Sequence, residues 1–161
     1  MDLSQWFTDQ LNSGSEGFIW SVEQMPPERR LLAPPEPLGK WSAARHVFHM
    51  LYYEQNKAVP CMKIWLGQPL AINKADFDED AAWGDDKDLD TMLTDFRRVR
   101  AEQLELLPNF NDQLWHETRS TPFWDDVTLL WVVSKTFQHT AEHIHDVMRL
   151  ALFWDAYADR E

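Results

Sequence analysis

Cysteine is almost missing from this chain of 161 residues: the single Cys61 rules out an internal disulfide, and nothing calls for an oxidising compartment. Positive charge is scarce too, with 15 Lys and Arg against 27 Asp and Glu and a formal net charge of -12. That balance opposes nonspecific binding to a phosphate backbone or an anionic membrane, so neither nucleic acid nor membrane is an expected partner. Long apolar runs are lacking, and none approaches the length of a membrane span. The N-terminal MDLSQWFTDQ has no basic stretch followed by an apolar one, which argues against a secretory signal and leaves the cytoplasm as the expected location.

What is present describes a globular chain. Its length corresponds to one domain, 1–161, able to bury a core without staples. Nine Trp and nine Phe predict an aromatic interior or pocket. The stretch Val127–Tyr157 has no Pro or Gly and carries apolar residues at helical spacing, so it reads as one long buried helix. At about 100° per residue, Leu130, Val133, Phe137, Ala141, Ile144, Met148 and Ala151 form an apolar stripe. His139 and His143 share a separate face with Val132, Thr136 and Leu150.

Three further helices precede it. Leu3, Phe7, Leu11, Phe18, Val22 and Met25 keep one phase through the interruption SGSEG at 13–17, which predicts a continuous helix ended by Pro26 and Pro27. The Pro-rich stretch 26–40 is a stiff crossover. A second helix starts at Trp41–Ser42, with Ser42 placed to accept from a first-turn amide and Pro60 predicting a kink near Val59. In this helix His49 shares a flank with Arg45, Tyr52 and Asn56, whereas His46 is expected further toward water with Tyr53 and Lys57.

The acidic run beginning at Asp76 lacks the turn Gly and the final Glu of a calcium loop and reads as a solvated loop. A third helix spans Leu89–Leu107, with Asp88 or Asp90 at its start and Asp95, Arg97, Arg98, Arg100 and Glu102 as its wet face. Pro108 opens a connection to Pro122 holding a short helical or extended piece. Four amphipathic helices without alternating segments predict an all-α four-helix bundle. Its connections at 26–40 and 67–87 are long enough to run the length of the bundle, so up-down-up-down wiring is not required.

Two imidazoles four residues apart rise from consecutive turns and can converge on one ion, so His139 and His143 form a candidate metal pair. If the helices are neighbours, His49 completes a set of three nitrogen ligands, which suits Zn²⁺ or Ni²⁺ and leaves at least one coordination position open. His46, His116 and His145 read as surface or locally bonded histidines. Glu142 and Asp146, each three residues from a candidate ligand, point largely outward.

The segment GKWSAARHVFHML resembles the start of the second helix of the DinB/YfiT-like superfamily, and HTAEHI resembles its fourth-helix HxxxH. On that match the metal ligands are His49, His139 and His143. The resemblance implies a DinB-like bundle with long crossover connections, a bound divalent metal and a homodimer. It also implies chemistry of two kinds: S-transfer or isomerisation with a low-molecular-weight thiol, or metal-dependent hydrolysis.

In the transferase reading the partners are a thiol and a small electrophile. The cation lowers the thiol pKa, and Arg45, Tyr52 and Asn56 line the pocket as catalytic candidates, with Thr136 and Trp41 nearby and Arg45 available to neutralise a carboxylate. Hydrolysis needs a general base that helical phase does not supply. A non-enzymatic, stress-related helical metal-binding protein is the third reading.

Overall fold

Asp2 starts the first helix by accepting a hydrogen bond from the Gln5 amide, and the helix runs unbroken to Glu23. The computed structural model describes residues 2–68, 70, 74–84 and 87–158. Among these the helices are α1 (Leu3–Glu23), α2 (Ala43–Tyr53), α3 (Val59–Ile64), α4 (Glu79–Ala82), α5 (Leu89–Leu106), α6 (Asp112–His116) and α7 (Leu129–Ala158). The expected all-α bundle is formed by α1, α2 with α3, α5 and α7. Among the described residues no helix is long and apolar enough to cross a membrane.

The SGSEG interruption is a contact as well as a tolerated cost. A Cβ on Gly14 would lie 3.3 Å from Thr140 Cγ2 and one on Gly17 3.5 Å from Ile144 Cδ1, so the glycines let α1 come close to α7. These pairs ascend together, so the two helices are parallel. His46 meets His143 while His49 meets His139, which makes α2 antiparallel to α7. Phe18 meets Phe96 while the Leu11 carbonyl meets Arg100, which makes α1 antiparallel to α5. It follows that α2 and α5 run the same way, and the chain between them must return along the bundle. That return carries α4. The first connection instead joins two ends at the same level.

The kink expected at Pro60 is a π-helical turn, Glu54–Ala58, between α2 and α3. Pro60 offers no amide and crowds the carbonyl four residues back, and the wider turn accommodates both. The connection before α7 holds both a short helix, α6, and a strand pair, Thr118–Arg119 (β1) with Val127–Thr128 (β2), so α7 begins two residues later than its periodicity predicts.

Two expectations about faces are corrected. The buried side of α7 is Leu129, Val132, Val133, Thr136, His139, Thr140, His143, Val147, Leu150 and Trp154. The stripe expected there is turned toward the edge, with Ala141 exposed and Ile144 and Met148 half-buried. Burial of Thr136 and Thr140 is tolerated because their hydroxyls bond the Val132 and Thr136 carbonyls.

Arg100, expected in water, is 2% exposed. It is ion-paired to the fully buried Glu54 and donates to the Leu11 carbonyl at 2.7 Å and to Thr140 Oγ1 at 3.0 Å. Apolar clusters fill the two ends of the bundle, one around Phe18, Phe48, Phe96 and Leu150 and the other around Phe7, Trp65, Trp115 and Val132. Between them lies a polar layer of Glu54, Arg100, Gln103, Thr136, Thr140, His139 and His143.

Replacing Arg100 by Met strands a buried carboxylate, and unfolding in urea should show a loss of roughly 3–5 kcal/mol. Adding Glu54→Gln to that variant should recover part of it. A loss for Arg100→Met within error of zero would mean the pair does not tie the layer together.

Candidate metal centre

Ser42 caps α2 by accepting from the Arg45 amide, fixing the helix start from which His46 and His49 are counted. Because α2 and α7 are antiparallel, His49 faces His139 and His46 faces His143. His49 Nε2 lies 2.9 Å from His139 Nε2, which lies 3.1 Å from His143 Nε2. Ligand atoms of the three residues all fall within 4.8 Å of one another.

The donor set fits a metal. Tetrahedral ligands at ~2.1 Å from an ion stand ~3.4 Å apart, so a few tenths of an ångström of opening would suffice. Burial, reinforced by the neighbouring histidines, pushes His139 down to about 2 and, with His49, pushes His143 down to about 4. Both rings are therefore neutral near pH 7, the form that offers a lone pair. Nitrogens converging this closely could hold one shared cation.

The far side of each ring decides which nitrogen is free. With Nε2 turned to the ion, His49 Nδ1–H donates to Glu79 Oε2 at 2.7 Å. In the same tautomer His143 Nδ1–H donates to His46 Nδ1 at 2.9 Å. His139 Nδ1 is buried without a hydrogen-bond partner among the described residues. Burial opposes the Glu79 charge, yet hydrogen bonds and charge from His49 and Arg45 outweigh it and hold the carboxyl below its ordinary range.

Glu79 comes from the acidic run expected to be solvent only. Asp78 caps α4 by accepting from the Ala81 amide, and the helix sets Glu79 over α2. Arg45, 7% exposed, is ion-paired to Glu79 and to Asp80, and lies 4.8 Å over the Trp41 ring. The rest of the run divides: Asp88 caps α5, while Asp76 is exposed and Asp85 and Asp86 lie outside the described residues.

His46 is a second correction, being buried at 7% exposure where a surface position was expected. The side of α2 assigned to water also carries Val47, Met50 and Tyr53, all buried. Trp41 covers the group, its ring 4.9 Å from that of His49, 5.3 Å from that of His46 and 6.2 Å from that of His143.

Other candidates stand further off. Tyr52 packs its ring on Phe48 and Phe77, and Asn56 donates its amide to the Tyr52 carbonyl. Neither makes a hydrogen bond or ring contact with the three histidines among the described residues. Thr136 is buried beneath the site, its hydroxyl bonded to its own helix. His116, His145 and Glu142 are exposed, and Asp146 lies 4.0 Å from His143 Nδ1.

Cavities of about 340 Å³ and 360 Å³ open on either side of Trp41, the first against His46 and His143 and the second against His49 and Glu79. A larger one of about 580 Å³, beside Asp2 and Trp115, touches none of the histidines.

A helical bundle whose second and last long helices bring three histidines together defines a class of bundle able to hold a divalent ion in its polar middle. The DinB superfamily's sequence model matches residues 11–147, and the chain belongs to that superfamily. Comparisons with curated proteins and with solved structures gave no match.

Glu79→Gln should weaken metal binding about 10–100-fold by competition titration, since the His49 ring loses its charged orienting partner. An unchanged affinity would remove Glu79 from the site. The metal-free protein should also lose stability in acid. His139 and His143 titrate near 6.5 when unfolded and far lower when folded, so between pH 6.5 and about 4 the unfolded chain binds more protons. The urea midpoint should fall through that window, and a flat midpoint would contradict the buried neutral state.

Proposed function

We propose that the chain is a divalent-metal enzyme that transfers a low-molecular-weight thiol to a small electrophile. The observation that carries this reading is the convergence of three imidazole nitrogens beside two solvent-reaching cavities, which leaves room for an exogenous ligand. A cation such as Zn²⁺ or Ni²⁺, when bound there, supplies Lewis acidity that lowers the pKa of a thiol or a water.

The chain's own groups favour the thiol. Cys61, the one cysteine, is fully buried, and burial pushes its thiol up to about 11, so it offers no nucleophile. Hydrolysis calls for a free base, and the carboxylate nearest the histidines has both oxygens engaged, Oε1 by Arg45 and Oε2 by His49. His49, His139 and His143 hold the ion, Glu79 fixes the His49 tautomer, and Trp41 limits access of water. Arg45 holds Glu79 in place.

Protein purified without chelator should contain one equivalent of metal, and each of His49→Ala, His139→Ala and His143→Ala should lose most of it. The loaded wild type should consume an electrophile such as 1-chloro-2,4-dinitrobenzene faster with an added thiol than the thiol alone does. Turnover of an ester or amide without any thiol would replace transfer by hydrolysis. Full metal occupancy in the His139→Ala protein would reject the centre itself.

A further inference from the structure

We infer that the 340 Å³ cavity between the Gly39–Trp41 turn and α7 is an anion subsite for a small carboxylate, beside the metal-centre ligand His143. The inference deepens the thiol-transfer reading by giving one co-substrate a charge, and it rests on that reading for its role in turnover.

The cavity wall carries Lys40, Trp41, His46, His143, Asp146 and Arg149. Gly39 takes a φ of 113°, a backbone conformation open to glycine, and this turn sets Lys40 and Trp41 at the rim. Arg149 and Lys40 have no carboxylate within ion-pair distance among the described residues. Both cations lie on the wall of this one cavity. Asp146, the wall's only carboxylate among the described residues, lies 4.0 Å from His143 Nδ1, so the two cations outnumber it on the lining.

Across Trp41 the polarity is reversed. That cavity is lined by Asp78, Glu79 and Asp80, which more than neutralise Arg45. An anion is therefore repelled from one mouth and attracted to the other, and guanidinium and ammonium each suit a carboxylate. The volume suits a molecule of succinate size. Arg45, the sequence-based candidate for neutralising a carboxylate, is already paired, and Arg149 with Lys40 takes that role.

Succinate titrated calorimetrically into the metal-loaded protein at low salt should bind, and Arg149→Met should weaken it about tenfold or more. The Lys40→Met/Arg149→Met protein should bind none while keeping its metal content and melting temperature. With cobalt in the site, mercaptosuccinate should raise a thiolate charge-transfer band at lower concentration than 2-mercaptoethanol does, and the double variant should remove the difference. Equal succinate affinity in wild type and double variant overturns the subsite. Succinate binding that the double variant abolishes, with no thiolate band from either thiol, keeps the subsite and rejects the thiol reading.

Discussion

Polar groups buried at mid-height in a helical bundle have to be satisfied there, and the arrangement of this chain follows from how that is done. Glu54 and Arg100 neutralise each other, and Thr140 links them to α7. One turn along α7, the histidines meet those of α2 instead of a counterion. The burial that keeps His139 and His143 neutral leaves their lone pairs free, and with His49 they converge on one point. The same layer thus separates two apolar clusters and supplies a metal-sized set of donors. The close approach of α1 at Gly14 and Gly17 seats α7 from its other side, fixing the rotation that turns His139 and His143 inward.

Wiring decides what else reaches the site. Because α2 and α5 are parallel, the chain between them has to retrace the bundle, and its acidic segment crosses the mouth of the histidine group. The carboxylates there do different work. Asp78 caps α4, Glu79 holds both His49 and Arg45, and Asp80 completes the pairing of Arg45. A run that lowers the net charge of the whole chain thereby becomes a local charge barrier on one side of Trp41.

The helices were legible because their apolar residues recur at helical spacing, and α1 survived two glycines because its phase did. Ser42 marked the start of α2 by its capping chemistry, and of the two acids weighed at the start of α5 it is Asp88 that caps it. The HxxxH pair and His49 could be proposed from spacing and resemblance. What periodicity could not show was burial by groups distant in sequence. Arg100 looked wet until Glu54, 46 residues away, was seen to pair with it. Glu79 was one acid among many, with no spacing rule to single it out. His46 was misplaced for a nearer reason: Val47, Met50 and Tyr53 made the supposedly wet side of α2 apolar, a signal present in the sequence itself.

Several polar groups near the histidines are already engaged. Cys61 is closed off by burial, Thr136 and Thr140 by bonds to their own helix, and Glu79 by two partners. The unpartnered Nδ1 of His139 points away from the convergence of the Nε2 atoms and so cannot assist a ligand there. What remains free at the histidine group is the meeting point of three nitrogens and the two cavities beside it. A site whose cysteine is buried and whose nearest carboxylate is committed to holding it in shape receives its nucleophile from outside, and the opposite charge of the two cavities offers a means of telling one incoming molecule from the other.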